Sequence, residues 1–243
     1  MTGVGMTGVG MSGVTVGGAA AGAGVVLAID TATATTVAGL ARDGVVLARF
    51  AHTDPLRHGE VLVPGIRAMF DEAGIARSDV TLLAVGTGPG PYTGLRVGLA
   101  TAVGLSVALG VPVEGVCSLD VLSLGIDPAS FTAGTRVVVA SDARRREVYW
   151  AGYDGPGVRA SGPEVSEPAG IATDGPVAGL GPSLYPEAFP TVVEPQRPDG
   201  GLFAAAVSSG LLERRDLRPI YLRHPDAVAP KARKAALAPA ERP

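Results

Sequence analysis

Asp30 and Asp142 each end a run of apolar residues, Val25-Val-Leu-Ala-Ile-Asp30 and Val137-Val-Val-Ala-Ser-Asp142. Runs of this kind, closed by turn residues, read as buried strands. Two carboxylates in matching places at strand ends are candidate site residues. The first turn continues Thr31-Ala-Thr33, with Ala32 where a glycine would let a phosphate approach the backbone. The second continues Ala143-Arg-Arg-Arg146. Its arginines can hold an anion, although a solvated hairpin turn is the commoner outcome.

The segment Gly86-Thr-Gly-Pro-Gly-Pro-Tyr-Thr-Gly-Leu-Arg96 lies between a predicted strand and a predicted helix. Glycines let the backbone turn tightly, and the free N–H groups of a helix N-terminus attract anions. Gly88, Gly90, Thr93 and Gly94 are therefore candidates for anion binding. The Gly-Lys-Ser/Thr ending of a Walker loop is missing. A structural role competes with the anion reading: Thr93 caps the helix and the glycines permit close packing.

Other reactive groups are sparse. His52, His58 and His224 show no i, i+4 pair that would place two metal ligands on one helix face. His58 and Glu60 suit a hydrogen-bonding corner at a helix start. Cys117 ends a strand and reads as a small buried hydrophobe, and Ser118 reads as the next helix's N-cap. No nucleophile–base pair can be assembled. The catalytic set expected from sequence is empty.

The elements that must position these groups follow from periodicity. Asp43-Gly44 between Thr35–Arg42 and Val45–Phe50 marks a hairpin. Leu62, Ile66, Met69 and Ala73 recur at helical spacing before Gly74, a C-cap residue. A strand at 81–85 precedes the glycine loop, and a small-residue helix runs from Leu95 to Leu109, followed by a strand at 111–116. That helix carries Gly94, Gly98 and Ala102 on one stripe and Ala100, Gly104 and Ala108 on the next. Small residues four apart let another helix approach closely. The helix so admitted lies either inside the same chain, as core packing, or across an interface; on the interface reading Leu62, Ile66, Met69, Gly94, Gly98 and Ala102 meet the partner, and Gly98→Arg breaks association without harming the fold. A second unit begins near Thr135 and repeats the order strand, terminal Asp, turn, strand, ending in an Asp154-Gly155 turn. Short strands at 177–180 and 191–193, a helix at 201–212 and an extended segment at 219–223 complete it. The order reads as a duplicated α/β architecture.

Composition bounds the rest. With 47% hydrophobic and 18% charged residues among 243, the chain is globular over most of its length. A formal net charge of −3 supplies no bulk attraction to nucleic acid, which leaves room only for a local basic patch. A single cysteine excludes an intramolecular disulfide and suits a reducing compartment. No apolar run is long enough to cross a bilayer, because Leu95 to Leu109 carries Arg96 and stops at Gly110-Val-Pro112. A cytoplasmic protein is the expectation. Residues 1–24 form a Gly-rich, near-repetitive lead and residues 225–243 an Ala/Pro/Lys tail, both expected to be disordered. Two subdomains are expected between them, 25–128 and 129–224.

Several segments resemble, in order, the bacterial TsaB (YeaZ) family. They are Leu27-Ala-Ile-Asp30-Thr31, Arg57-His-Gly-Glu60, Val85 through Thr101, Val116-Cys-Ser-Leu119, Asp142-Ala-Arg144 with Glu147-Val-Tyr149, and Tyr221-Leu-Arg223. Gly59 stands where that family usually has Ser, and Pro91-Tyr92 replace Ser-Phe. The resemblance implies an actin-like (ASKHA, ribonuclease H-like) duplicated fold that has lost catalysis. In actin-like phosphotransferases, strand-end aspartates organise a metal–nucleotide site, so Asp30, Thr31 and Asp142 would mark a vestigial one. The implied partners are a TsaD-like catalytic subunit, a TsaE-like ATPase and, through the complex, tRNA. ATP and metal are expected on those partners, and a homodimer when the chain is alone. The implied reaction is threonylcarbamoyl transfer to N6 of adenosine 37 in tRNAs reading codons that begin with A. The helix at 60–73 lacks the His-x-x-x-His pair through which TsaD binds metal. The competing readings are an actin-like nucleotide-dependent kinase working through Asp30 and Asp142, and a metallopeptidase-like protein.

Overall fold

A computed structural model describes residues 24–132 and 134–223. The Gly-rich lead before Gly24, the tail after Arg223 and His224 lie outside the described residues.

The run from Val25 becomes β1 (Val25–Asp30), hydrogen-bonded antiparallel to β2 (Thr35–Arg42) and parallel to β4 (Val80–Gly86). β3 (Val45–Thr53) and β5 (Val113–Val116) extend the sheet to the order β3-β2-β1-β4-β5. Asp43 and Gly44 both take positive φ in the β2–β3 turn, as the Asp-Gly pair requires. β1 is buried on both faces, which is why its sequence is continuously apolar rather than alternating. Val25, Leu27 and Ile29 face α1 (His58–Ala73) and α2 (Tyr92–Leu109), while Val26 and Ala28 face α5 (Gly200–Ser208).

The second sheet repeats the plan. β6 (Val137–Asp142) pairs antiparallel with β7 (Val148–Gly155) and parallel with β9 (Val177–Ala178), in the order β8-β7-β6-β9. β8 (Val158–Ser166) has no counterpart in the sequence reading: its side chains are mixed polar and apolar, and it lies on the open edge of the sheet. The hairpin reverses at Gly157, which takes positive φ, so the turn expected at Asp154-Gly155 is displaced. Near 192 only an isolated bridge to Val177 forms, and 219–223 adds no strand. Gly74 and Gly110 end α1 and α2 in the left-handed conformation that favours glycine.

A boundary at 128 does not separate the two cores. α3 (Ser118–Ser123) packs Leu119 and Leu122 onto Val137, Val139 and Tyr153 of the second sheet. Conversely α5, late in the chain, covers the first sheet with Phe203, Ala204 and Val207. Asp120 of α3 is almost wholly buried, accepts a 2.7 Å hydrogen bond from Tyr153 Oη and pairs at 3.0 Å with Arg159. The exchange of helices ties each lobe to the other. α5 is held by its Asp199 cap on the Gly201 and Leu202 amides and by Ser208 Oγ, which accepts from Gly44 N–H at 2.9 Å.

The α5–β2 crossing leaves no room for a side chain: a Cβ on Gly39 would overlap the Gly200 carbonyl. Gly39→Ala should therefore lose about 1–3 kcal/mol in urea denaturation, although alanine fits a strand better than glycine. Unchanged stability would mean that α5 does not seat on β2.

Candidate functional site

Thr31 follows Asp30 into the turn beyond β1 and enters the side of α2. Its hydroxyl donates to the Gly94 carbonyl at 2.7 Å and accepts from Gly98 N–H at 3.0 Å. One side chain thus bridges both ends of an i, i+4 helical pair. The approach works only because both helix positions are glycine: a Cβ at Gly94 would lie 2.6 Å from the Thr31 carbonyl oxygen, and one at Gly98 2.5 Å from Thr31 Oγ1. Thr31 is a structural pin rather than a group presented to a ligand.

Asp30 is fully buried. Oδ1 accepts from Ala32 N–H at 2.7 Å, while Oδ2 has no hydrogen-bond partner; the Ser118 hydroxyl is the polar group beside it. Burial raises the carboxyl pKa to about 6, only partly offset by Ser118 and the Ala32 amide. Gly86 is glycine for the same reason, since a Cβ there would overlap Oδ2. Asp142 occupies the equivalent strand end and makes the equivalent turn, accepting from Arg144 N–H at 2.7 Å. It is half-buried and lines the cleft between the lobes. The paired aspartates therefore do not face each other across one site: Asp142 faces the cleft and Asp30 the core.

That cleft, about 390 Å³, is lined by Thr33, His58, Thr93, Gly94, Asp142 and Arg144 among others. His58 Nδ1 lies 2.7 Å from Thr36 Oγ1, and burial holds the ring below its ordinary pKa, so it is neutral at pH 7. Glu60 turns away to pair with Arg57, so the expected His58–Glu60 corner does not form. Thr93 is exposed in the first turn of α2, which begins at Tyr92 with Pro91 before it and no side-chain cap. Of the glycine loop, Gly88 N–H donates to Ser118 Oγ, and Gly90 lies against the Ala32 backbone, too close for a Cβ. Of the four loop residues expected to bind an anion, Thr93 and Gly94 line the cleft and Gly88 and Gly90 do not. Ser118, expected as an N-cap, serves the loop instead. Cys117 is buried and its thiol is pushed up to about 12, first by burial and then by Asp120. Among the described residues, no three His, Cys, Asp or Glu side chains cluster as a metal site.

Arg144, Arg145 and Arg146 all take left-handed φ, at 62°, 54° and 62°. This costs about 1–2 kcal/mol per residue outside glycine, and such strain concentrates at working surfaces. The turn closes through Ala143 N–H to the Glu147 carbonyl and is braced by Arg223, which donates to the Ala143 carbonyl at 2.7 Å and pairs with Glu147. Beside it, the Tyr92 and Tyr221 rings lie 5.3 Å apart and Arg96 stands 3.7 Å over Tyr92. The i, i+4 spacing of Tyr92 and Arg96 was the one available sequence signal for this patch.

The residues expected at a partner interface are placed differently. Leu62, Ile66, Met69, Gly94, Gly98 and Ala102 are all buried inside the chain, against the first sheet and Thr31. Helical spacing identifies a packed face without saying what it packs on, and here the sheet takes it. Gly98→Arg would disrupt the fold itself. The face left open carries Val63, Ala100, Val103, Gly104, Val107 and Ala108, with Val107 79% exposed. α2, at 18 residues, is also long and apolar enough to cross a membrane, contrary to the sequence expectation. Its hydrogen bonds to Thr31 instead seat it on the folded domain.

Two α/β lobes, each built as strand, Asp turn, antiparallel hairpin and parallel return strand, define an actin-like (ASKHA, ribonuclease H-like) protein. Residues 51–185 match the family model described as TsaD, tRNA N6-adenosine threonylcarbamoyltransferase. A Mycobacterium tuberculosis protein is 42% identical over 83% of this chain and 93% of its own length. The tRNA threonylcarbamoyladenosine biosynthesis protein TsaB of Escherichia coli is 38% identical over 53% of this chain and 54% of its own. The structure of YeaZ from Pseudomonas aeruginosa superposes with a TM-score of 0.64 at 30% identity, covering 82% of this chain and 100% of that one. The chain belongs to the TsaB (YeaZ) family.

Asp30 yields a pH test. Its folded pKa lies above the ordinary 3.8, so the stability it confers is complete below that value and is lost as pH rises through about 6. Between pH 4 and pH 7 the chain should lose on the order of 2–3 kcal/mol from this group. Asp120, raised by burial, acts in the same sense and His58 in the opposite one. The difference between wild type and Asp30→Asn in urea melts across that range isolates Asp30. Parallel stability–pH curves for the two proteins would contradict the raised pKa of the buried carboxyl.

Proposed function

We propose that this chain is a non-catalytic scaffold subunit of threonylcarbamoyladenosine biosynthesis, docking a TsaD-like catalytic subunit through the outer face of α1 and α2. The observation that carries this reading is the open apolar stripe on those helices. Val63, Val103 and Val107 are 55%, 42% and 79% exposed. They lie among the small residues Ala100, Gly104 and Ala108, and a Cβ on Gly104 would meet nothing. A helix as apolar as α2 leaves such a face in water only at a cost, and exposed apolar patches mark association sites. Small residues at four-residue spacing admit a partner helix at close range. Family membership supplies the context: a TsaE-like ATPase and the catalytic paralogue bring ATP and metal, and the complex acts on tRNA in the cytoplasm. The product is threonylcarbamoyl on N6 of adenosine 37, in tRNAs reading codons that begin with A. The isolated chain pairs with itself through the same stripe.

The cleft beside Asp142, Arg144 and Thr93 favours a second reading, a nucleotide-dependent enzyme of actin-like fold. Titration calorimetry with Mg-ATP separates the two. Tight binding with turnover by the lone chain supports the enzyme, and silence leaves the scaffold.

Val103→Arg with Val107→Arg places two charges on the stripe without touching the buried face. The double variant should lose copurification with the catalytic paralogue, and tRNA modification reconstituted with both partners should fall at least tenfold. Its circular dichroism and melting temperature should stay those of wild type. Full copurification of a folded variant would remove the docking face.

A further inference from the structure

α2 begins at the cleft between the lobes with no side chain capping it. Pro91 holds the cap position and has no N–H of its own. The helix ladder starts with Leu95 N–H on the Pro91 carbonyl at 3.1 Å, so the amides of Tyr92, Thr93 and Gly94 find no acceptor among the described residues. Thr93 and Gly94 line the cleft. A buried side chain stands beside the same spot. His58 is 6% exposed and also lines the cleft, and a Cβ on Gly94 would lie 3.5 Å from its Nε2. Nδ1 lies 2.7 Å from Thr36 Oγ1, while Nε2 has no hydrogen-bond partner among the described residues. Thr36 is wholly buried, and among the described residues its hydroxyl has no hydrogen bond but this one. A buried hydroxyl needs an acceptor for its proton, and Nδ1 is the acceptor within reach. The hydrogen-bond network therefore assigns the imidazole's own proton to Nε2, as a donor next to the free amides of α2.

We propose that this end of the cleft binds the carboxylate of a small organic acid, its oxygens shared among the Thr93 and Gly94 amides, the Thr93 hydroxyl and His58 Nε2–H. The donors are neutral, backed by about half a positive charge at the helix start, which matches one negative charge. The charged side chains that line the cleft, Asp142, Arg144 and Arg197, come from the second lobe, and Asp142 pairs with Arg144 at 3.6 Å. Repulsion from Asp142 grows with the charge of the ligand, so a phosphate dianion is disfavoured against a monocarboxylate. A cavity of about 390 Å³ has room for a small acid. The proposal goes beyond both the scaffold and the nucleotide readings and depends on neither, since the docking stripe lies on the outer face of α2.

The test is nuclear magnetic resonance of the isotope-labelled full chain, titrated with sodium acetate and sodium lactate at neutral pH and compared with inorganic phosphate and chloride at matched ionic strength. Both acids should give saturable shifts at the Thr93 and Gly94 amides and at His58 Nε2, and chloride should not. His58→Asn keeps a polar partner for Thr36 and removes the donor at Nε2. It should weaken acetate binding roughly 10- to 100-fold, the range for a hydrogen bond to a charged group. His58→Gln, which returns an N–H near the Nε2 position, should recover part of that loss. Thr93→Val lies at the surface, so it should keep the wild-type melting temperature while weakening acetate about threefold or more. No saturable shift with either acid, an equal response to chloride, tighter binding of phosphate than of acetate, or unchanged affinity in the folded variants would each overturn the proposal.

Discussion

The contact between Thr31 and α2 is the constraint from which the rest of the molecule follows. A hydroxyl from the turn after β1 bridges a carbonyl and an amide one helical turn apart, at Gly94 and Gly98. For this, α2 must lie almost against the backbone of the Asp30 turn, and only glycine permits that distance. The contact fixes which side of α2 faces inward. It thereby fixes the opposite side, with Val103 and Val107, as the surface offered to solvent. One interaction therefore sets both the buried and the exposed side of α2.

The two halves began from the same plan and have diverged in what their strand-end aspartates do. Both accept a hydrogen bond from the amide two residues on, at 2.7 Å. Asp30 is then roofed by Gly86 and Ser118 and raised by burial to about 6, while Asp142 stays in the cleft with Arg144. A carboxyl enclosed in this way has no open face left for a metal ion or a phosphate. The cleft that remains is asymmetric, with its charge supplied mainly by the second lobe. The exchange of α3 and α5 between lobes, and the buried Asp120–Tyr153–Arg159 cluster, join the halves at places where an open-and-shut motion would need them to part.

Helical spacing correctly identified apolar faces on α1 and α2, yet the residues it picked belong to the core. Periodicity reports that a stripe is packed; it carries no label for the packing partner. The stripe one step round, at Ala100, Gly104 and Ala108, is the exposed one, and in sequence the two look alike. β8 carries no sequence signal because an edge strand with one wet face needs no continuous apolar run. The displaced β7–β8 turn has the same origin, since Asp154-Gly155 is a good turn signal that the strand simply runs through. Three consecutive arginines read as a solvated turn; that all three are left-handed, braced by Arg223 from 77 residues beyond Arg146, is information no local pattern contains.

What the sequence determined by itself is the order of strands and helices, the duplicated strand–Asp–turn, the glycine loop and the family. These depend on local propensity and on short motifs whose backbone demands are specific. Which face of α2 is free, which aspartate is buried, and which tyrosines meet the arginine turn were decided by tertiary structure alone. Each depends on a contact between residues distant in the chain, such as Thr31 with Gly94 and Gly98 or Tyr92 with Tyr221. The energy of those contacts exists only once the sheet has brought the segments together.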